Sequence, residues 1–151
     1  MRKRRILTSG MTALALACAG ASWLAAPAAR AEALASGECN NDVSVELTDL
    51  KRSSGVLTAK VVYTATSDDA NAYVYAEDTY VLDPAGGKKY EVLKDSDGNW
   101  LASSNTSHGL RKVGATHKAW YKFPAPPAEV TAVSLTLRNC EPLEDVPITD
   151  K

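Results

Sequence analysis

The stretch Val43–Ala65, VSVELTDLKRSSGVLTAKVVYTA, alternates apolar and polar residues on either side of Ser53-Ser54-Gly55. Val43, Val45 and Leu47 share one parity, with Ser44, Glu46 and Thr48 on the other. Past the serine–glycine turn, Leu57, Ala59, Val61, Tyr63 and Ala65 repeat the pattern against Thr58, Lys60 and Thr64. Successive side chains of a strand point to opposite faces, so a period of two describes strands with one face turned to a core.

The same period continues along the chain. Residues 72–83 are denser, because Tyr73 and Tyr75 have one parity and Val74, Tyr80 and Leu82 the other. That strand bends or is buried on both faces. Asp83-Pro84-Ala85-Gly86-Gly87 and Asp95-Ser96-Asp97-Gly98 are turns, with Tyr90 and Val92 between them and Trp100-Leu101 starting a short extended piece. The polar stretch Ser103–Gly114 reads as the longest irregular segment. Thr116–Phe123 is a strand that Pro124, Pro126 and Pro127 end, and Val133, Leu135 and Leu137 mark a last strand closing at Cys140. Helical periodicity is not sustained anywhere after the first 31 residues. About seven short strands predict an all-β domain, an immunoglobulin-like Greek-key β-sandwich, over residues 42–140. Residues 32–41 form an N-terminal segment, and the acidic, proline-containing tail 141–151 is expected to lie along the surface.

Residues 1–31 have the plan of a cleaved secretory signal peptide. Arg2, Lys3, Arg4 and Arg5 precede an Ala/Leu-rich stretch from Met11 to Ala26, and Ala29-Arg30-Ala31 places small residues at the cleavage site before Glu32. A second frame cuts after Ala33. A membrane-spanning reading is disfavoured, since alanine contributes little transfer energy and Gly20, Ser22 and Pro27 interrupt the run. A lipid anchor on Cys18 is the lesser alternative, because Ala15 stands where such a motif usually has leucine. The expected location is periplasmic or secreted, with no integral membrane segment after cleavage.

Removing the leader changes the charge and the cysteine count. Five of the 17 Lys/Arg lie in it, which leaves 12 against 18 Asp/Glu and a net charge of −6 for residues 32–151. An acidic chain without a basic cluster argues against nucleic acid and anionic membranes as partners, since both need lysine and arginine to replace counterions. Cys39 and Cys140 remain as a pair, and in an exported protein a pair reads as one disulfide. Closing a loop of that length contributes about 4–5 kcal/mol in the chain-entropy account. Joining the ends of the domain, it is unlike the antibody bridge between two internal strands. Two cysteines do not complete a zinc shell, so no metal is expected.

Tyr80-Val-Leu-Asp83, Lys88-Lys-Tyr90, Asp95-Ser-Asp-Gly98, Trp120-Tyr-Lys-Phe-Pro-Ala-Pro-Pro127 and Glu144-Asp-Val-Pro-Ile148 follow one another in order. On these motifs the chain, from about residue 42 to 148, resembles bacterial extracytoplasmic immunoglobulin-like (telokin-like) modules of unassigned function. Some of those precede a peptidoglycan-binding domain of the outer-membrane protein A type; others are lipoproteins or stand alone. The resemblance implies the sandwich fold and transfers no catalytic or binding residue. With the chain ending at Lys151, attachment through such a second domain is not expected.

Chemistry-bearing patterns are sparse. His108 and His117 are the two histidines, no Gly-x-Ser-x-Gly elbow precedes a helix, and the serines sit in turns, so no catalytic residue and no cofactor is expected. Asp95-Ser96-Asp97-Gly98-Asn99 resembles part of a calcium loop but lacks the closing glutamate, and an Asp-Gly turn is the ordinary reading. The two histidines, nine positions apart, read as separate surface residues rather than ligands. Trp120 has two placements. It is the core tryptophan of a small sandwich, which the need for large apolar anchors favours, or it stands on the outer face between Lys118 and Lys122. In the second placement Trp120, with Tyr73 and Tyr75, is the candidate binding set. The functional expectation is a non-enzymatic exported module acting through contacts with an envelope or secreted protein. The alternatives are an inhibitor of a cell-wall hydrolase or protease presenting Ser103–Gly114, and a weak calcium or small-ligand binding domain.

Overall fold

A computed structural model describes residues 32–151; the expected signal peptide, residues 1–31, and Cys18 within it lie outside the described residues. The alternating stretch forms β2 (Val43–Ser53) and β3 (Val56–Ala65), antiparallel neighbours. Ser53 pairs with Val56, so the loop is two residues long, and Ser54 and Gly55 both have positive φ (50° and 77°). That is the turn whose twist matches the strands it joins. A bulge between Leu47 and Asp49 then reverses the parity of β2. Beyond it Leu50 and Arg52, rather than odd-numbered residues, point inward.

Preceding this pair is β1 (Ala35–Cys39), and following it are β4 (Ala70–Val74), β5 (Tyr80–Asp83) and β6 (Lys88–Glu91). The chain continues through β7 (Thr106–Leu110), β8 (Thr116–Pro124), β9 (Ala132–Thr136), β10 (Leu143–Pro147) and β11 (Thr149–Asp150). One sheet has the order β1-β2-β3-β8, with β11 added in parallel along β2; the other has the order β10-β9-β5-β6. β4 and β7 make a separate two-stranded ribbon. The return of β9 to pair with β5, after β6 and β8, is the Greek-key step. The protein is an all-β, immunoglobulin-like sandwich.

Inward-facing residues of both sheets form one core. Val43, Val45, Leu47, Leu50, Leu57, Val61, Tyr121 and Phe123 come from the first sheet, and Val81, Tyr90, Val133, Leu135, Leu143 and Val146 from the second. Among the described residues, buried side-chain polar atoms are paired except His117 Nε2. The buried hydroxyls of Tyr63 and Tyr121 lie 3.1 Å apart, and burial pushes the Tyr121 phenol up to about 12 and the Tyr63 phenol well above its usual range.

Several sequence expectations change. The stretch 72–83 is two strands: a turn, closed by Thr79 N–H donating to the Ala76 carbonyl (3.2 Å), sends β4 and β5 into different sheets. That explains its mixed parity. Ser103–Gly114 is not irregular throughout, since Thr106–Leu110 pairs along β4; its exposed tip is Arg111–Gly114. The sandwich also exceeds 42–140. β1 lies inside the 32–41 segment, and the tail 141–151 is built in rather than laid on the surface, with Leu143 and Val146 in the core. Cys39 is disulfide-bonded to Cys140, where residues 38–40 meet 139–141 through Asn40 N–H to the Asn139 carbonyl (2.7 Å) and Glu141 N–H to the Glu38 carbonyl (2.9 Å). Gly37 permits this close approach, for a Cβ there would lie 2.9 Å from the Leu143 side chain.

Candidate functional site

Residues of β3 and β8 that face away from the core make the outer face of the five-stranded sheet. Register places Lys60 opposite Trp120, Val62 opposite Lys118 and Thr58 opposite Lys122. Trp120 is 38% exposed, one of three large hydrophobic side chains so placed among the described residues. The core placement that the sequence favoured for it is therefore corrected. Its neighbours Ala119, Tyr121 and Phe123 supply the apolar anchors on that strand, and strand alternation then turns Trp120 outward. Beside the indole is a shallow groove of about 380 Å³, lined by Thr48, Lys60, Val62, Lys118 and Trp120 over the backbone of Val61 and Ala119.

The groove floor is held firmly. Trp120 N–H donates to Ser103 Oγ (3.1 Å), the Trp120 carbonyl accepts from Ser103 N–H (2.9 Å), and Lys122 N–H donates to the Leu101 carbonyl (3.0 Å). Thr48, the residue at the β2 bulge, donates its hydroxyl to the Lys60 carbonyl (3.1 Å). Lys60 lies 3.3 Å from Asp49, and the Lys122 ammonium sits 5.7 Å from the Trp120 ring centre.

Tyr73 and Tyr75 do not line this groove. They stack on each other with ring centres 6.3 Å apart, and Arg138 lies over Tyr75 at 4.3 Å while it pairs with Asp78 (2.8 Å). They form a second aromatic patch, packed by its own cation, and the expected three-residue set is thus split. The residues that sequence reasoning missed are Lys60, Val62 and Thr48. They belong to β2 and β3, and only long-range register brings them to Trp120.

Sheet edges offer less. The outer edge of β8 is occupied by residues 101–103, and β1 is tied to 139–141. β6 carries Lys88 and Lys89, and β10 has a register shift and Pro147. Lysine, proline and bulges are the usual means of blocking strand addition.

The two histidines, expected as separate surface residues, are in contact. Their rings stack with centres 3.7 Å apart and planes within 18°. His108 Nε2 is 3.0 Å from Ser104 Oγ, whereas His117 Nε2 is buried without a hydrogen-bond partner. Burial first, and the His108 ring second, hold His117 below the usual imidazole range. Parallel rings aim their lone pairs side by side rather than at one ion, and among the described residues no three His, Cys, Asp or Glu gather as a metal site. The unfolded chain takes this proton more readily, so stability from His117 is present above about pH 6.5 and declines as pH falls below it. The melting temperature is therefore expected to fall between pH 7.5 and pH 5, with a shallower fall in His117→Gln; equal slopes for the two proteins would refute this coupling.

Asp95 is committed to its turn. Its carboxylate accepts from Asp97 N–H (3.0 Å), Asn99 N–H (2.8 Å) and the Asn99 side-chain amide (3.2 Å), and these bonds hold it below the usual carboxylate range. The turn thus uses the oxygens that a calcium ion would need.

No protein-family model matches the chain, and no curated protein matches it. It is similar to a solved structure of a secreted protein from Mycobacterium tuberculosis, MPT63, at 16% sequence identity and a TM-score of 0.46, over 72% of this chain and 91% of that one.

Proposed function

We propose that the protein is a non-enzymatic, extracytoplasmic module of the telokin-like immunoglobulin type that binds a protein partner through the outer face of its five-stranded sheet. The observation that carries the reading is Trp120, exposed in a groove floored by backbone whose hydrogen bonds are already made. A rigid indole loses little entropy on contact, and tryptophan is enriched among residues that dominate interface energies. The blocked sheet edges favour this face over strand addition. The Cys39–Cys140 bridge supports a periplasmic or secreted location, because such bonds persist in oxidising compartments.

A photo-crosslinking amino acid at position 58 in intact cells is expected to capture one envelope or secreted protein. The Trp120→Ala change should remove that product while costing less than about 1 kcal/mol of stability. An undiminished product with Trp120→Ala overturns the assignment of this face.

A further inference from the structure

We infer that the segment seated at Trp120 is an acidic peptide, in which an apolar side chain covers the indole and carboxylates flank it. The inference rests on the proposed binding face and adds the chemistry of its occupant. On β8, Lys118 and Lys122 stand two residues to either side of Trp120, and Lys60 faces it across the register. Three of the 12 Lys/Arg of residues 32–151 thus surround one indole in a chain whose net charge there is −6.

Among the described ion pairs, Lys60 is engaged by Asp49 and no carboxylate is within reach of Lys118 or Lys122. Acidic groups of this face lie on β1 and β2, with Glu38 opposite Ser44 at the far side of the sheet from β8. Asp49 is opposite Lys60, and Glu46, itself engaged, lies across Val62 from Lys118. The groove is thus apolar along Val62 and Trp120, and its unneutralised charge is positive on the β8 side. Carboxylates of a partner complement that side, and an aromatic or aliphatic residue fits the strip between. A second copy docked with its twofold axis through Trp120 would set Lys118 and Lys122 against the same lysines of the other copy, a like-charge contact that opposes binding.

The test is selection of a random 12-residue peptide library on phage against the wild-type protein and the Trp120→Ala variant. Peptides retained by the wild type and lost by Trp120→Ala are expected to be rich in Asp and Glu beside an apolar residue. One such synthetic peptide should bind at least about tenfold more weakly to the Lys118→Glu/Lys122→Glu variant, and more weakly in 300 mM than in 50 mM salt. Trp120-dependent peptides that are neutral or basic overturn the acidic inference and leave the binding face intact. If oligogalacturonate binds in a Trp120-dependent way while no peptide is selected, the occupant is an anionic glycan and the peptide inference fails. If neither probe depends on Trp120, the binding face falls with it.

Discussion

Removing the Cys39–Cys140 bridge, by Cys39→Ala together with Cys140→Ala, is expected to lower stability by about 3–4 kcal/mol, under the chain-entropy figure because measured bridges usually deliver less than that account gives. For a domain of this size the melting temperature should drop on the order of 10–15 °C. The bond closes a loop of sequence separation 101, so it withdraws a large share of the unfolded chain's freedom. It also joins the edge strand β1 to the segment between β9 and β10, and thereby fastens one sheet to the other. Without it, β1 keeps its five-residue pairing with β2 and the backbone bonds from residues 38 and 40 to 139 and 141. Hydrogen exchange at Gly37 and Cys39 in the oxidised protein should therefore be slower than at the same positions of the double variant. A drop in melting temperature under about 2 °C would mean that those backbone contacts alone already hold the ends together.

Much of this architecture was legible because alternation is a local signal. Val43–Leu47 and Leu57–Ala65 have clean parity, and both are strands with the expected faces inward. The inward placement of Leu50 and Arg52 depended on one extra residue at Thr48, where a helical or extended reading alike predicts no parity change. β7 was missed for a different reason. Thr106-Ser-His-Gly-Leu110 has one apolar residue and is a strand only because β4 pairs with it. The tail shows the same limit, since Leu143 and Val146 are spaced by three, and a bulge brings both into the core opposite Leu135 and Val133.

The candidate site was half legible. Strand alternation offered Trp120 an outer position between Lys118 and Lys122, but the demand for a core tryptophan pulled the reading the other way. Tyr121 and Phe123, both fully buried on the same strand, already meet that demand. Lys60 and Val62 could not be placed beside Trp120 from spacing, because β3 and β8 are joined only after the chain has visited the other sheet. The histidine stack was hidden likewise: nine residues of sequence separate two rings that the turn between β7 and β8 folds onto each other.

Replacing Arg52 by methionine is expected to cost about 3 kcal/mol, although the residue is charged and lies at the end of a strand. The bulge that turns Arg52 inward leaves it only 9% exposed. Its guanidinium Nη1 donates to the carbonyls of Pro126 (3.2 Å), Pro127 (2.6 Å) and Val130 (3.0 Å), and Nη2 donates to that of Ala128 (3.3 Å). Nε and Nη2 fork onto the two oxygens of Asp150 at 2.5 and 2.9 Å. One side chain thereby pins three things: β2, the loop that carries the chain from β8 across to β9, and the terminal strand β11. Methionine fills similar volume but donates nothing, so the loop carbonyls lose their partner and β11 loses its ionic tie. Lysine should rescue little, since a single ammonium cannot serve the carbonyls and both carboxylate oxygens at once. The Arg52 hydrogen bond holds the Asp150 carboxyl below the usual range, so that contribution is present above the ordinary carboxylate pKa and is lost as pH falls through the lowered value. In urea unfolding at pH 7, Arg52→Met should have a lower midpoint at unchanged slope, and Arg52→Lys should resemble it. A lysine variant as stable as wild type would show that charge alone, rather than the fork and its four carbonyls, secures the crossover.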